Sequence, residues 1–190
     1  ELTQAFSIEG LSKSSAIFDV EKLTWMNAQY IRALPREEFI SRAMPYFKEA
    51  GVAHMDLNLI AELIQPRLER LDEIAPKLAF LTEMPAFGPE LYAHKRSGSD
   101  ASTALPVLKE ARAALAGLDE FTIDALKATL NALVERLGVK TGFVYWPVRI
   151  AISGQEVTPG GPVEIACLLG TAETLRRLDE EHAQGKPFFA

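Results

Sequence analysis

The stretch Thr141-Gly142-Phe143-Val144-Tyr145-Trp146-Pro147-Val148-Arg149-Ile150-Ala151-Ile152-Ser153 decides the fold class. Its Val, Tyr, Trp and Ile suit a strand when read alone. A strand needs a partner, however, because even an isolated two-stranded ribbon is marginal in water. No second segment with matching alternation exists in the chain, so 141–153 is predicted to be a helix. With it the whole chain becomes all-α.

Working outward, the neighbouring segments carry plain helix signals. Thr122 is a predicted N-cap for Ile123, Leu126, Leu130, Leu133, Val134 and Leu137, and Gly138 is the predicted stop. Glu164 to Leu169 and Thr171 to Glu181 are predicted as two helices divided by Gly170, with a further helix around Leu105 to Leu115. Upstream, Asp19 is placed to cap a helix through about Leu34, on the spacing of Leu23, Met26, Tyr30 and Ile31. Pro35 suits the first turn of the next helix, where Glu37 and Glu38 favour the dipole; Pro45 is expected to interrupt it and Gly51 to stop it. Leu57 to Leu71 is a third apolar-periodic stretch broken by Pro66, and Ala75 to Leu81 a short fourth. Between Glu83 and Thr103 the texture changes to Pro, Gly, Ser and charge, which marks a subdomain boundary.

Composition bounds the function. A chain of 190 residues is one large domain or two small ones, and 48% apolar with 24% charged residues is ordinary for a globular protein. No run reaches the ~18–20 apolar residues of a bilayer span. The chain opens on Glu1-Leu2, with no Met, basic start or apolar signal region, and is expected to begin inside a longer polypeptide. Net charge is −6, and the residues up to Gly98 and those after it each carry −3. Non-specific coating of nucleic acid is thereby excluded, because it rests on neutralising phosphates; reading a few particular bases is still allowed. One cysteine, Cys167, sits in the apolar run Ile165 to Leu169 and is expected to be structural, in a reducing compartment. His54, His94 and His182 lack ligand spacing, Glu37-Glu38 and Glu180-Glu181 read as solvated helix faces, and no glycine-rich phosphate loop occurs. No catalytic residue and no metal ligand is assigned.

Distributed signatures remain. Phe18-Asp19-Val20-Glu21-Lys22-Leu23-Thr24-Trp25-Met26-Asn27 with Tyr30-Ile31-Arg32 resembles the segment after the catalytic core of bacterial glutamyl-tRNA synthetases. Gln65-Pro66-Arg67-Leu68 and Pro147 to Gly154 agree in order and spacing. So do Thr158-Pro159-Gly160, Glu164 to Gly170 and Leu175-Arg176-Arg177-Leu178. Leu11-Ser12-Lys13-Ser14 also looks like the tail of a synthetase ATP loop, but lacks its leading lysine and is read as a coincidence. The resemblance covers nearly the whole chain and implies the C-terminal, anticodon-binding half of an enzyme that joins glutamate to tRNA using ATP. It implies residues 1–30 in a helical stem-contact domain, 31–98 in a first anticodon-binding subdomain and 99–190 in a second, the two forming a helical cage. The piece is expected to hold no cofactor and to catalyse nothing, ATP and Mg belonging to the full-length enzyme. Its expected partners are the anticodon loop of tRNA-Glu and the upstream catalytic domain, as a cytoplasmic monomer without membrane contact.

The same resemblance assigns the site. The family's arginine at the place of Arg67 reads the third anticodon base, and a donor-only guanidinium fork matches acceptor edges such as cytosine O2 and N3. That base is C for Glu and G for Gln, so Arg67 suggests an enzyme that separates the two tRNAs; relaxed members tend to carry Gln. Without the family, Arg67 reads as a helix-surface arginine paired with Glu62 or Glu69. Arg149 matches an arginine near the first and middle bases, the alternative being an arginine snorkelling from an apolar helix. Thr158, Pro159 and Gly160 match a turn presented to the loop. The chain then departs from the family: Gly161-Pro162-Val163 is one residue longer than the usual apolar pair, leaving Pro162 or Val163 to offer an apolar face to a base. Phe143 to Trp146 is unusually aromatic, and Trp146 is expected to anchor the core rather than stack on RNA. Trp25 and Asn27 are expected to be structural. The rival readings are a relaxed synthetase that also charges tRNA-Gln, and a helical protein-interaction module with no RNA role.

Overall fold

The computed structural model describes residues 19–183, with side chains through 179. Leu11 to Ser14, Phe18 and the side chains of Glu180, Glu181 and His182 lie outside that description. Among the described residues there are eight α-helices and no strand, and an isolated antiparallel bridge joins His94 to Ser99. The all-α reading holds.

Helix α1 (Val20–Ala33) starts where Asp19 accepts the Lys22 N–H at 2.9 Å. Helix α2 (Arg36–Glu49) runs unbroken through Pro45, against expectation. Pro45 forfeits one backbone bond, but Phe39, Ala43 and Phe47 on the same helix are fully buried, and that burial holds the turn together. Helix α3 (Leu57–Ile64) is broken at Pro66 as expected: there the chain tightens into the single turn Gln65–Arg67, then Leu68 goes extended. Helix α4 (Ile74–Leu78) and the turn Ala79–Leu81 complete the first half.

In the second half α5 (Ala101–Ala116) begins earlier than its apolar spacing indicated, because Asp100 and Thr103 cap it reciprocally. Helix α6 (Ile123–Leu137) has the predicted Thr122 cap and Gly138 stop. Helix α7 (Thr141–Ser153) carries Pro147 inside it and packs against α5, α6 and α8. A helix enclosed on several sides needs apolar residues around most of its circumference. This explains why its sequence resembles a buried strand. The last span, α8 (Pro162–Ala183), is two helices joined at Gly170, whose φ of 74° and ψ of 174° break the helix at the predicted place.

One continuous core runs through both halves, with α3 and the 79–81 turn touching α8. At the junction lies Arg177, only 2% exposed. Its guanidinium donates to the carbonyls of Phe80 at 2.8 Å, Ile152 at 2.7 Å and Leu81 at 3.0 Å, and its Nε to Glu173 Oε1 at 2.7 Å. The hydrogen bond from Arg176, with Arg177 adding its own, holds the Glu173 carboxyl well below the ordinary range, at about 2.

Helix α1 docks on the turn after α3. Gln65, buried, donates to the Ile31 and Leu34 carbonyls at 2.9 Å each, satisfying the end of α1. Asn27 reaches the Glu69 carbonyl at 2.6 Å, which is the structural part expected of it. Trp25 departs from its expected role: it is 61% exposed, and Leu23, Met26 and Tyr30 of the predicted apolar stripe are exposed too.

Three outcomes follow from these contacts. Arg177→Met should lower stability in urea denaturation by ~3–5 kcal/mol, since it strands three buried carbonyls and leaves the Glu173 carboxylate to Arg176 alone; a loss under 1 kcal/mol would contradict this role. A free glutamate titrates near ~4.3 and Glu173 near about 2 when folded, so its contribution is complete above pH ~5 and is lost as pH falls through that window. The stability gap between wild type and Glu173→Gln should therefore be constant above pH 5 and close by pH 2. Gln65→Ala should cost ~1–3 kcal/mol by orphaning the Leu34 carbonyl and leaving the Ile31 carbonyl only the long bond from the Leu34 N–H, read as the same urea midpoint shift.

Candidate nucleic-acid interface

Arg67 closes the turn Gln65–Arg67 and is exposed. One guanidinium nitrogen donates to the Leu63 carbonyl, which fixes where the fork sits. Among the described residues it forms no ion pair with Glu62 or Glu69, so the surface-pairing alternative does not describe it.

The segment between α7 and α8 comes to the same place. Gly154 ends α7 at φ 64°, and a Cβ there would meet Pro85 Cγ at 2.8 Å and the Pro85 carbonyl at 3.1 Å, so only glycine fits. Thr158 Oγ1 donates to the Gly160 carbonyl at 2.6 Å, which fastens the predicted turn and occupies that hydroxyl proton. A Cβ on Gly160 would stand 3.1 Å from Leu63 Cδ1, so the turn packs directly on the residue whose carbonyl receives Arg67. Leu63 thus joins two elements almost a hundred residues apart in sequence. Next, Glu164 Oε2 accepts the Gly161 N–H at 2.8 Å and caps the start of α8.

Pro162 and Val163, expected to offer an apolar face, are buried, Val163 to 4% exposure. The exposed apolar side chain of this segment is Val157, at 82%. Sequence reading passed over it because a lone valine in a polar turn carries no pattern.

Arg149 lies across a cleft of about 420 Å³ formed by α6, α7 and the start of α8. Lys127, Tyr145 and Trp146 line it with Arg149, and Pro162 and Val163 form part of its wall. Arg149 donates one terminal nitrogen to the Glu156 carbonyl at 3.2 Å, while its Nε is buried without a partner. Burial pushes its pKa below the ordinary value and nearby Glu164 opposes the shift. The side chain is therefore only half a snorkelling arginine, with a dehydrated donor facing no acceptor.

Trp146 stacks on His94, ring centroids 4.1 Å apart, and donates to the Leu91 carbonyl at 2.9 Å, tying the 89–99 loop to α7. That is the anchoring role expected of it. Tyr145 donates to Asn131 Oδ1 at 2.9 Å. Lys127 carried no signal in the sequence, since on its own helix it looks like an ordinary polar-face residue, whereas Tyr145 belongs to the aromatic run already noted. Cys167 is half-buried and its thiol is pushed up, chiefly by burial, as suits a structural cysteine rather than a nucleophile. No helix among the described residues is long and apolar enough to cross a membrane.

The arrangement has known counterparts. A glutamate–tRNA ligase of Clostridium botulinum (strain Hall) is 41% identical over 178 residues, covering 94% of this chain and 37% of that ligase. One of Clostridium kluyveri is 39% identical over 179 residues, again 94% and 37%. This chain therefore spans little more than a third of the relatives it matches. Among solved structures, a glutamate tRNA ligase from Elizabethkingia meningosepticum, described in complex with its amino acid, superposes with a TM-score of 0.79 at 24% identity. That match covers 93% of this chain and 34% of the other, and establishes the fold. Residues 38–181 match the family described as an anticodon binding domain, and the chain belongs to that family.

Proposed function

We propose that this chain is the anticodon-reading part of a glutamate–tRNA ligase and binds tRNA-Glu. The observation that carries the reading is the junction at Leu63, where Arg67 and the Thr158–Gly160 turn meet. RNA loops are recognised by splaying bases onto apolar surfaces and contacting their edges with a few fixed donors. Arg67 supplies a donor-only fork held at one nitrogen, Arg149 an unpaired donor in a cleft, and Val157 an exposed apolar contact. Domain boundaries near residues 30 and 98 accord with this reading. The exposed face of α1, with Trp25 and Tyr30, is the joint to the preceding part of the polypeptide. ATP and Mg act there, in joining glutamate to the tRNA, and this chain alone is inactive.

Arg67 favours an enzyme that separates tRNA-Glu from tRNA-Gln over a relaxed one. Arg67→Gln should reduce the preference for C over G at the third anticodon base by ~1–3 kcal/mol, the scale of one good base contact. Binding constants for tRNA-Glu transcripts with C or G at that base measure it. Circular dichroism should stay helical, because Arg67 is exposed. An unchanged preference in the mutant would sink the assignment, and salt-independent binding of a protein partner instead of tRNA would favour the interaction-module reading.

A further inference from the structure

The chain holds eleven arginines, all among the described residues. Six of them are ion-paired: Arg42 with Glu38, Arg70 with Asp72, Arg112 with Asp179, Arg136 with Glu110, and Arg176 and Arg177 with Glu173. In a protein of net charge −6, acidic partners are plentiful. Among the described residues Arg32, Arg36, Arg67, Arg96 and Arg149 form no ion pair, and three of them lie together. Arg32 and Arg36 flank a cleft of about 380 Å³ between the α1–α2 junction and the end of α3, walled by Gln65 and Pro66. Arg67 is the next residue along.

Both cleft arginines are held in place. Arg32 Nε donates to the Pro66 carbonyl at 3.0 Å, and Arg36 donates one terminal nitrogen to the Asn58 carbonyl at 2.8 Å. Each fork is thereby pinned at one nitrogen, its other nitrogens have no partner among the described residues, and the side chain is exposed. Glu62, the acidic residue of the lining, forms no ion pair with either. Two pinned, outward-directed planar forks match the paired oxygens of a phosphate, and pinning lowers the ordering cost of using them.

We propose that the Arg32–Arg36 cleft is a phosphodiester-binding site that grips the RNA backbone beside the base presented to Arg67. The inference rests on the anticodon-reading function proposed above. It assigns positioning to Arg32 and Arg36 and base selection to Arg67, the division expected between phosphate and base contacts. The Arg32 bond to Pro66 sets the grip beside the turn that carries Arg67, whose own guanidinium is fixed separately by the Leu63 carbonyl.

Titration of tRNA-Glu transcripts against the full chain, from 50 to 200 mM salt, tests it. Arg32→Gln/Arg36→Gln should weaken binding alike for transcripts with C or G at the third anticodon base. The loss of two phosphate contacts should also flatten the salt dependence by ~1.4–1.8 in slope, so that the variant loses roughly tenfold less affinity than wild type over that range. Arg32→Lys/Arg36→Lys, which keeps the charges but not the carbonyl-pinned forks, should retain the wild-type slope even if binding is weaker. An unchanged slope in the Gln pair, or a Lys pair as flat as the Gln pair, overturns the proposal and leaves the two arginines a structural role. If Arg67→Gln loses its base preference while the Gln pair keeps its slope, this inference alone fails. If wild type binds no tRNA, the function it rests on fails first.

Discussion

A single buried guanidinium sets the relation between the two halves of this chain. The carbonyls of Phe80 and Leu81 end one turn, that of Ile152 lies in the last turn of α7, and all three converge on the buried Arg177. Carbonyls at helix ends lack intrahelical partners. Three acceptors converging from separate segments need a donor-rich group, and arginine alone offers five N–H donors on a rigid plane. Desolvating its charge is expensive, but Glu173 and the carbonyls return most of what water gave. An apolar side chain of the same size would leave those acceptors unsatisfied. With Arg177 in place, the 79–81 turn lies against α8, and the packing of Leu63 on Gly160 follows from that register.

Local signals were legible and long-range ones were not. Asp19, Thr122, Gly138 and Gly170 act within a few residues, through a cap or a positive φ, and each sits where the sequence places it. Pro45 misled, because the cost of a missing N–H is local while the compensation is tertiary: it stays inside a helix whose flanking residues are buried, as Pro147 does in the helix predicted over 141–153. Arg177 had no readable sign. Beside Arg176 and four residues after Glu173 it looks like a surface helix pair, and only the fold shows that one of the two adjacent arginines points inward.

The candidate site was legible in a different way. Nothing in the charge or periodicity around Arg67 or Arg149 distinguishes them from other arginines, and their selection rested on resemblance to a family. What the structure adds is their lack of acidic partners and their supports, the Leu63 and Glu156 carbonyls. Pro162 and Val163 are buried, with the wall of the Arg149 cleft as their place, and the apolar side chain that this segment leaves outward is Val157.

In the RNA-reading role proposed above, a net charge of −6 is less contradictory than it looks. Long-range repulsion between exposed charges is damped within ~8–10 Å at ordinary ionic strength, so the field an approaching phosphate feels is mainly that of its nearest neighbours. Most arginines here are neutralised by a carboxylate within hydrogen-bond reach, whereas those around the α1–α2 junction and the two clefts are tied to backbone carbonyls. A carbonyl orients a guanidinium without cancelling its charge. Such an arrangement keeps the bulk surface unattractive to nucleic acid in general, and concentrates uncompensated positive charge where geometry can examine a base. Selectivity is served by the acidic remainder, because weak non-specific affinity enlarges the ratio between a correct anticodon and every other stretch of RNA.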